Sequence, residues 1–258
     1  MKNHVYLQAR VFSERLPSKV LKKICGKTII ELIVERVQKI EKIDKIILVT
    51  GSEQQNKQLI EKFQKLNLDY FCGNEINVLD RFYNASNHFN SDNIIRITCD
   101  NPLVDYRIIN QGLKIFLKKD VDILSNDRIP TFPYGLNFEI FKKSILHQSW
   151  KEMKENFSNE KDFFSKPLSP VLHMLQSNEF KNYDFLNDDD LSHIRLTIDY
   201  PDDFKLVSKI FEHFYKTNTD FGLDEIISFF NKQPDLALIN KNHVKLDYGL
   251  FPNKSSIN

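Results

Sequence analysis

A fourfold alternation in the first half of the chain constrains the fold more than any other feature. Short apolar runs at 5–7, 46–49, 68–71 and 94–97 are separated by stretches whose apolar residues recur at helical spacing, as in Ile29, Leu32, Ile33, Val37 and Ile40. Further helical patterns cover 53–66, 78–89 and, past the last run, 105–117. Strands that alternate with helices in this way form a parallel sheet with right-handed crossovers and helices on both faces. The predicted class is therefore α/β and Rossmann-like, and 258 residues supply ample core. After residue 117 the alternation fades into a strand at 121–124, a turn-rich segment at 130–133 and a strand at 134–141 that enters a helix.

Ligands of open α/β sheets bind beyond the carboxyl ends of the strands, which draws attention to the loop after the first run. It reads Q-A-R-V-F-S-E-R-L-P-S-K-V-L from Gln8 to Leu21 and carries Arg10, Arg15 and Lys19. Three cations on one loop repel each other unless a polyanion such as a nucleoside triphosphate neutralises them; a merely solvated basic loop is the alternative. No G-x-G-x-x-G and no G-K-[ST] occurs, so the chain is neither a dinucleotide-binding module nor a P-loop protein. Its 36 basic and 35 acidic residues nearly cancel, which argues against a general nucleic-acid or membrane-surface protein. Three cysteines without C-x-x-C spacing argue against a disulfide framework, and the first apolar run, broken by Gln8 and Arg10, does not read as a signal peptide. A cytoplasmic protein is expected. The histidines form no H-x-x-x-H pair, so zinc chemistry is not expected.

Two aspartates stand where strands are predicted to end. Asp100 lies in Thr98-Cys99-Asp100-Asn101-Pro102, where it reads as a divalent-ion ligand or as an ordinary turn former. Asp199 lies in L-S-H-I-R-L-T-I-D-Y-P-D-D-F, residues 191–204; alternation there puts His193, Arg195 and Thr197 on one strand face, and Pro201 starts a helix with Asp202 and Asp203 in its first turn. The run Asp188-Asp189-Asp190 reads as a solvated turn. Asp80-Arg81 reads as a surface ion pair or as a carboxylate that orients a ligand-binding arginine.

These motifs together resemble the spore-coat-polysaccharide cytidylyltransferase-like family, related to the CMP-Kdo and CMP-acylneuraminate synthetases. The loop is similar to the family's Q-A-R-x-x-S-x-R-L-P-x-K. Residues 73–81 are similar to G-x-x-x-x-V-L-D-R, 98–102 to T-G-D-x-P, 132–141 to F-P-R-G-L-D-V-E-V-F, and 191–204 to L-S-x-x-R-x-T-V-D-T-P-E-D-F. Departures are Phe12 and Ser18 for glycine, Glu14 for threonine, Cys99 for glycine, Tyr134 for arginine and Asn137 for aspartate. Residues 160–172 match poorly, with Ser165-Lys166-Pro167 where relatives have Arg-Glu-His.

The resemblance implies a three-layer α/β/α nucleotide-diphospho-sugar transferase fold, with a mainly parallel sheet and an inserted antiparallel segment on the acceptor side. It implies one domain over 1–233, with a nucleotide half to about residue 120 and an acceptor and dimer half beyond it. Residues 234–258, with Tyr248, Leu250 and Phe251 embedded, would be a tail, either loose or strapped onto a neighbour. The implied activity is transfer of CMP from CTP to a sugar acid or related acceptor, with release of pyrophosphate, for surface glycan synthesis. Lys19, Arg10 and Asp100 would be catalytic; Gln8, Ala9, Arg10, Ser13, Arg15, Lys19, Arg81 and Thr98 would bind the nucleotide. Asp100 and Asp199 would hold Mg2+, and Tyr134, Asn137, Glu139 and Arg195 would line the acceptor pocket. A homodimer is the implied assembly. The rival readings are a nucleotidyltransferase that uses another triphosphate with a sugar phosphate, and a non-catalytic nucleotide-binding homologue.

Overall fold

The computed structural model describes residues 1–243, so the expectations for Tyr248, Leu250 and Phe251 lie outside the described residues. The strands in chain order are β1 (Asn3–Gln8), a hairpin of β2 (Lys23–Ile24) and β3 (Lys27–Thr28), β4 (Lys45–Thr50), β5 (Asp69–Cys72), β6 (Asn93–Thr98), β7 (Ile123–Ser125), β8 (Glu139–Lys142) and β9 (Asn182–Asp184). The helices are α1 (Ile29–Val37), α2 (Glu53–Lys65), α3 (Val78–His88), α4 (Tyr106–Lys118), α5 (Lys143–Glu155), α6 (Glu160–Phe164), α7 (Leu172–Gln176), α8 (Pro201–Phe214) and α9 (Leu223–Lys232). Seven strands form one sheet in the order β5-β4-β1-β6-β8-β7-β9. All neighbours are parallel except β8, which runs antiparallel to both β6 and β7. The mainly parallel α/β sheet with one inserted antiparallel strand thus agrees with the sequence.

Strand periodicity sorts the core into two layers, since successive side chains point to opposite faces. Val5, Leu7, Ile95 and Ile97 pack with α1, α2, α4 and α8. Tyr6, Ile47, Ile94 and Phe141 pack with α3, α5 and α7 on the other face. Each fully buried Phe or Leu contributes about 1.5–3 kcal/mol relative to exposure, so this pattern fixes the strand register.

Chain order places a switch point at the centre. From β1 the chain moves outward through β4 and β5, then returns to β6 on the other side of β1. The crevice for a ligand lies where the two directions part, at the ends of β1 and β6. Gln8 pairs with Thr98 there, which brings the basic loop beside Asp100.

Two predicted strands are shorter than expected. Among the described residues the 191–200 segment makes only one isolated bridge, Tyr134 with Arg195, and His193 is exposed while Arg195 and Thr197 are buried. The cause is a change of partner within the segment. Leu196 N donates to Tyr134 O at 2.7 Å, whereas Ile198 N donates to Asp100 O at 2.8 Å. Gly135, at φ +118°, permits this approach, because a Cβ there would lie 2.4 Å from Thr197 N. In the 134–141 run only the last residues join the sheet; Asn126 caps the preceding loop, its Nδ2 donating to Leu136 O at 2.9 Å and its Oδ1 accepting from Phe138 N at 2.9 Å. No helix among the described residues is long and apolar enough to cross a membrane.

Candidate active site

Residues 9–18 cross the ends of β1 and β6. Buried Ala9 and Leu16 anchor the loop in the core, and Val11 N donates to Oδ1 of the buried Asn56 at 2.8 Å. Ser18 is left-handed, at φ 52°, a conformation that glycine adopts without steric cost. The strained step leads into a 3-10 turn, Lys19–Leu21, that aims Lys19 across the crevice. Its ammonium lies 2.9 Å from Ile198 O, 2.9 Å from Asp199 Oδ1 and 3.1 Å from Asp100 Oδ2. Three acceptors use all three of its protons.

Burial alone would lower the Lys19 pKa, but Asp100 and Asp199 outweigh it and hold the ammonium above its ordinary value. Burial likewise pushes the Asp100 carboxyl up, and Lys19 with the Thr98 hydroxyl brings it below the ordinary value. Arg15 donates to Asp199 Oδ1 at 2.8 Å, and its guanidinium lies 5.1 Å from the centre of the Tyr200 ring.

A second layer fixes Asp199. Arg195 NH2 donates to Asp199 Oδ2 at 3.2 Å. Arg195 is itself clamped by Asp203, which accepts from Nε and NH2 at 2.9 Å each. Asp203 is fully buried and also accepts from the main-chain N–H groups of Asp199 and Tyr200 at 3.0 Å. A carboxylate at the third position of α8 therefore stabilises both the helix start and a buried cation. The hydrogen bond from Ile198 N to Asp100 O locks the two aspartate-bearing segments together.

Among the described residues, no group of three or more His, Cys, Asp or Glu side chains is placed to hold a metal ion. Asp100, Asp199 and the Ile198 carbonyl nevertheless converge on one cation, Lys19. This all-oxygen set, with two carboxylates, fits Mg2+, which takes most of its ligands from water and phosphate.

The remaining predicted residues fall into three groups. Arg10 is exposed and makes no ion pair among the described residues, and Ser13 is half-buried nearby. Arg81 is buried, donating to Asn74 O at 2.8 Å and Glu75 O at 2.9 Å. Burial lowers its guanidinium to about 10, against the pull of Glu75 and with Arg10 adding to the effect. Gly73 gives Arg81 its room, since a Cβ there would lie 2.8 Å from Arg81 Cγ. Asp80 neither pairs with Arg81 nor orients it; it accepts from Trp150 Nε1 at 3.0 Å.

Gln8 and Glu139 meet through Arg96, whose Nε and NH1 donate to them at 2.8 Å each. Asn137 spans Gly135 N at 2.8 Å and Asp127 Oδ1 at 2.7 Å. Tyr134 faces the Arg195 guanidinium, 5.2 Å from its ring centre. Of the four acceptor candidates, Arg195 and Tyr134 thus adjoin the Asp199 cluster, and Glu139 joins a polar row across β1, β6 and β8. Sequence reasoning missed Arg96, Asn56, Asp203 and Tyr200 as parts of this architecture. Arg96 was accessible to it: a cation inside the apolar run N-I-I-R-I-T requires a buried partner.

The chain is similar to known proteins over nearly its whole length. An uncharacterized protein of Methanocaldococcus jannaschii is 36% identical over 238 residues, covering 92% of this chain and 93% of its own. The spore coat polysaccharide biosynthesis protein SpsF of Bacillus subtilis is 24% identical over 241 residues, covering 90% and 95%. A solved cytidylyltransferase structure from Leptospira borgpetersenii superposes with a TM-score of 0.82 at 25% identity, covering 95% of this chain and 99% of that one. The cytidylyltransferase family model matches residues 5–233. The chain accordingly belongs to the cytidylyltransferase family of CTP-dependent nucleotidyltransferases.

Proposed function

We propose that the chain transfers a cytidylyl group from CTP to a hydroxyl of a sugar acid or related acceptor, releasing pyrophosphate, in the synthesis of a surface glycan. The observation that carries this reading is the convergence of Lys19, Arg15, Asp100 and Asp199 at the switch point of the sheet. The likeness to SpsF, a spore coat polysaccharide biosynthesis protein, supports the glycan assignment.

In the free protein two cations, Lys19 and Arg15, rest on two carboxylates, so the centre is close to neutral. An entering triphosphate competes for both cations. Lys19 then neutralises the α-phosphate while Arg15 and the exposed Arg10 hold the β and γ groups, and the aspartate oxygens become available. Asp100 and Asp199 would hold Mg2+, which when bound supplies a template and Lewis acidity. The acceptor oxygen attacks the α-phosphorus in line with the departing pyrophosphate, so the chain contributes mainly positioning and charge stabilisation. Gln8, Ala9, Ser13, Thr98 and Arg81 frame the nucleotide side; Tyr134, Asn137, Glu139 and Arg195 frame the acceptor side. The reading places the enzyme in the cytoplasm with its CTP supply, as a homodimer that light scattering would detect.

Calorimetric titration with CTP, UTP, GTP and ATP, each with and without Mg2+, tests the nucleotide half of the proposal. Selective, magnesium-dependent CTP binding is expected, followed by pyrophosphate release with a member of a sugar-acid panel. Preference for another base, or binding without pyrophosphate release from any acceptor, would overturn it.

A further inference from the structure

The chain continues beyond the matched span 5–233 and returns to the site. Pro234–Leu238 forms a 3-10 turn whose Leu236 is buried in the main core. Asn240 follows and is 4% exposed. Its Nδ2 donates to Asp203 Oδ1 at 2.8 Å and lies 3.1 Å from Arg195 O. One amide group therefore ties together the two residues that orient Asp199 from behind. Three residues on, the His243 ring stacks on Tyr200 at 4.1 Å between centroids and 7° between planes, and its Nε2 lies 3.3 Å from Asp202 Oδ2. Tyr200 is also the ring that receives Arg15.

The arrangement is more specific than tail packing requires. Burying an apolar side chain at 240 would close the same gap without addressing any polar group. An asparagine there instead completes the shell of Asp203, whose Oδ1 then accepts from Arg195 Nε and Asn240 while Oδ2 accepts from Arg195 NH2 and the two main-chain N–H groups. Without it, Asp203 Oδ1 keeps a single donor and can rotate. That rotation would shift Arg195 NH2 away from Asp199 Oδ2.

We infer that Asn240 is a positioning residue for Asp199, so that the segment after the matched family span completes the metal–nucleotide site of this chain. The inference rests on the reading of Asp199 as a magnesium ligand. Partners that orient metal ligands indirectly typically contribute 10- to 100-fold in metal affinity, and Asn240, acting through Arg195 and Asp203, belongs at about the lower end of that range.

The test uses the full chain with Mn2+ as a spectroscopic probe, its free fraction read by electron paramagnetic resonance in the presence of saturating CTP. In Asn240→Leu the half-saturating Mn2+ concentration should rise about tenfold, while CTP affinity without metal stays at the wild-type value. Asn240→Asp keeps the shape but presents oxygen to Asp203; it should move the same way and serves if Asn240→Leu does not fold. A folded variant of either kind with unchanged Mn2+ affinity overturns the inference. Asp199→Asn separates this result from failure of the underlying reading. If Asp199→Asn itself leaves Mn2+ affinity unchanged, Asp199 is not a ligand, and both the reading and the inference fall.

Discussion

Charge is held in two different ways on the two sides of the crevice. On the nucleotide side, Lys19 and Arg15 share the Asp199 carboxylate, and Arg15 is about a third exposed. On the side proposed for the acceptor, Arg96 and Glu139 form one internal pair of 2.8 Å, with side chains 14% and 6% exposed, braced by Gln8. The first kind of pairing is exchangeable: a polyanion can take Lys19 and Arg15, because the buried Asp199 keeps Arg195 as a partner. The second is fixed, because breaking it strands a charge in a low-dielectric interior. Behind the first stands the Arg195–Asp203 clamp, which is fixed like the second but serves the first. Exchangeable charges suit ligands that arrive with their own charge, and fixed ones suit a wall that must keep its shape.

If that distinction holds, the clamp should show the largest effect on stability. Asp203→Ala leaves the buried Arg195 with Asp199 as its remaining carboxylate partner and should cost about 3–5 kcal/mol in denaturant unfolding. Its pH signature has a defined sign. Burial pushes the Asp203 carboxyl up, but Arg195, Asn240 and the Asp199 N–H bring it below its ordinary value of 3.8. Its stabilisation is therefore fully present above pH 3.8 and is lost as pH falls through the lower folded value. Asp203→Asn should make the acid limb of the stability profile shallower; an unchanged limb would show that the clamp does not titrate as described.

The exchangeable pairs should affect rate more than stability. Lys19→Ala or Asp100→Asn should lower kcat by about 10²–10³, the range for removing one preorganised charge from a transition state. Thermal unfolding should change less than in Asp203→Ala, because the Lys19 and Asp100 side chains are 13% and 28% exposed against 8% and 0% in the clamp. A variant that unfolds readily yet turns over normally would place Lys19 with the fixed charges.

The sequence made the nucleotide side legible because local chemistry decides it. Gln8 to Lys19 is one continuous loop, and its basic residues stay near the strand that launches them. Asp100 follows its strand directly, so its place at the crevice needed only the α/β alternation. Asp203 and Asn240 were hidden because their roles depend on contacts across 8 and 45 residues with Arg195. The alternation in 191–200 misled for a related reason. A period of two reports a strand only when one neighbour accepts the whole segment, and here Tyr134 and Asp100 divide it. Asp80 and Arg81 do not pair with each other, since each side chain found a partner from another element or from the main chain.

On the acceptor side the comparison can be sharpened with Glu139→Gln, which keeps the shape but removes one member of the fixed pair. If that row borders the acceptor, KM for the acceptor should rise about tenfold, roughly one charge-assisted hydrogen bond, with CTP affinity unchanged. A fall in melting temperature with unaltered kinetics would make Arg96–Glu139 a strut of the sheet and would move the acceptor pocket elsewhere.

The smallest effect should come from Ser18→Gly, and its sign is set by two opposing terms. At φ 52° a serine carries a left-handed penalty of about 1–2 kcal/mol, which glycine removes. Glycine also gains freedom in the unfolded chain, which costs about 0.4–1 kcal/mol of stability. The net should be a stabilisation of less than about 1 kcal/mol, read as a rise of at most a few degrees in melting temperature. Because the turn that aims Lys19 is set by the main chain, with Leu21 N bonded to Ser18 O at 2.9 Å, kcat should stay within about twofold. A tenfold loss of kcat with the melting temperature unchanged would show that the serine hydroxyl, and not the turn, delivers Lys19 to the crevice.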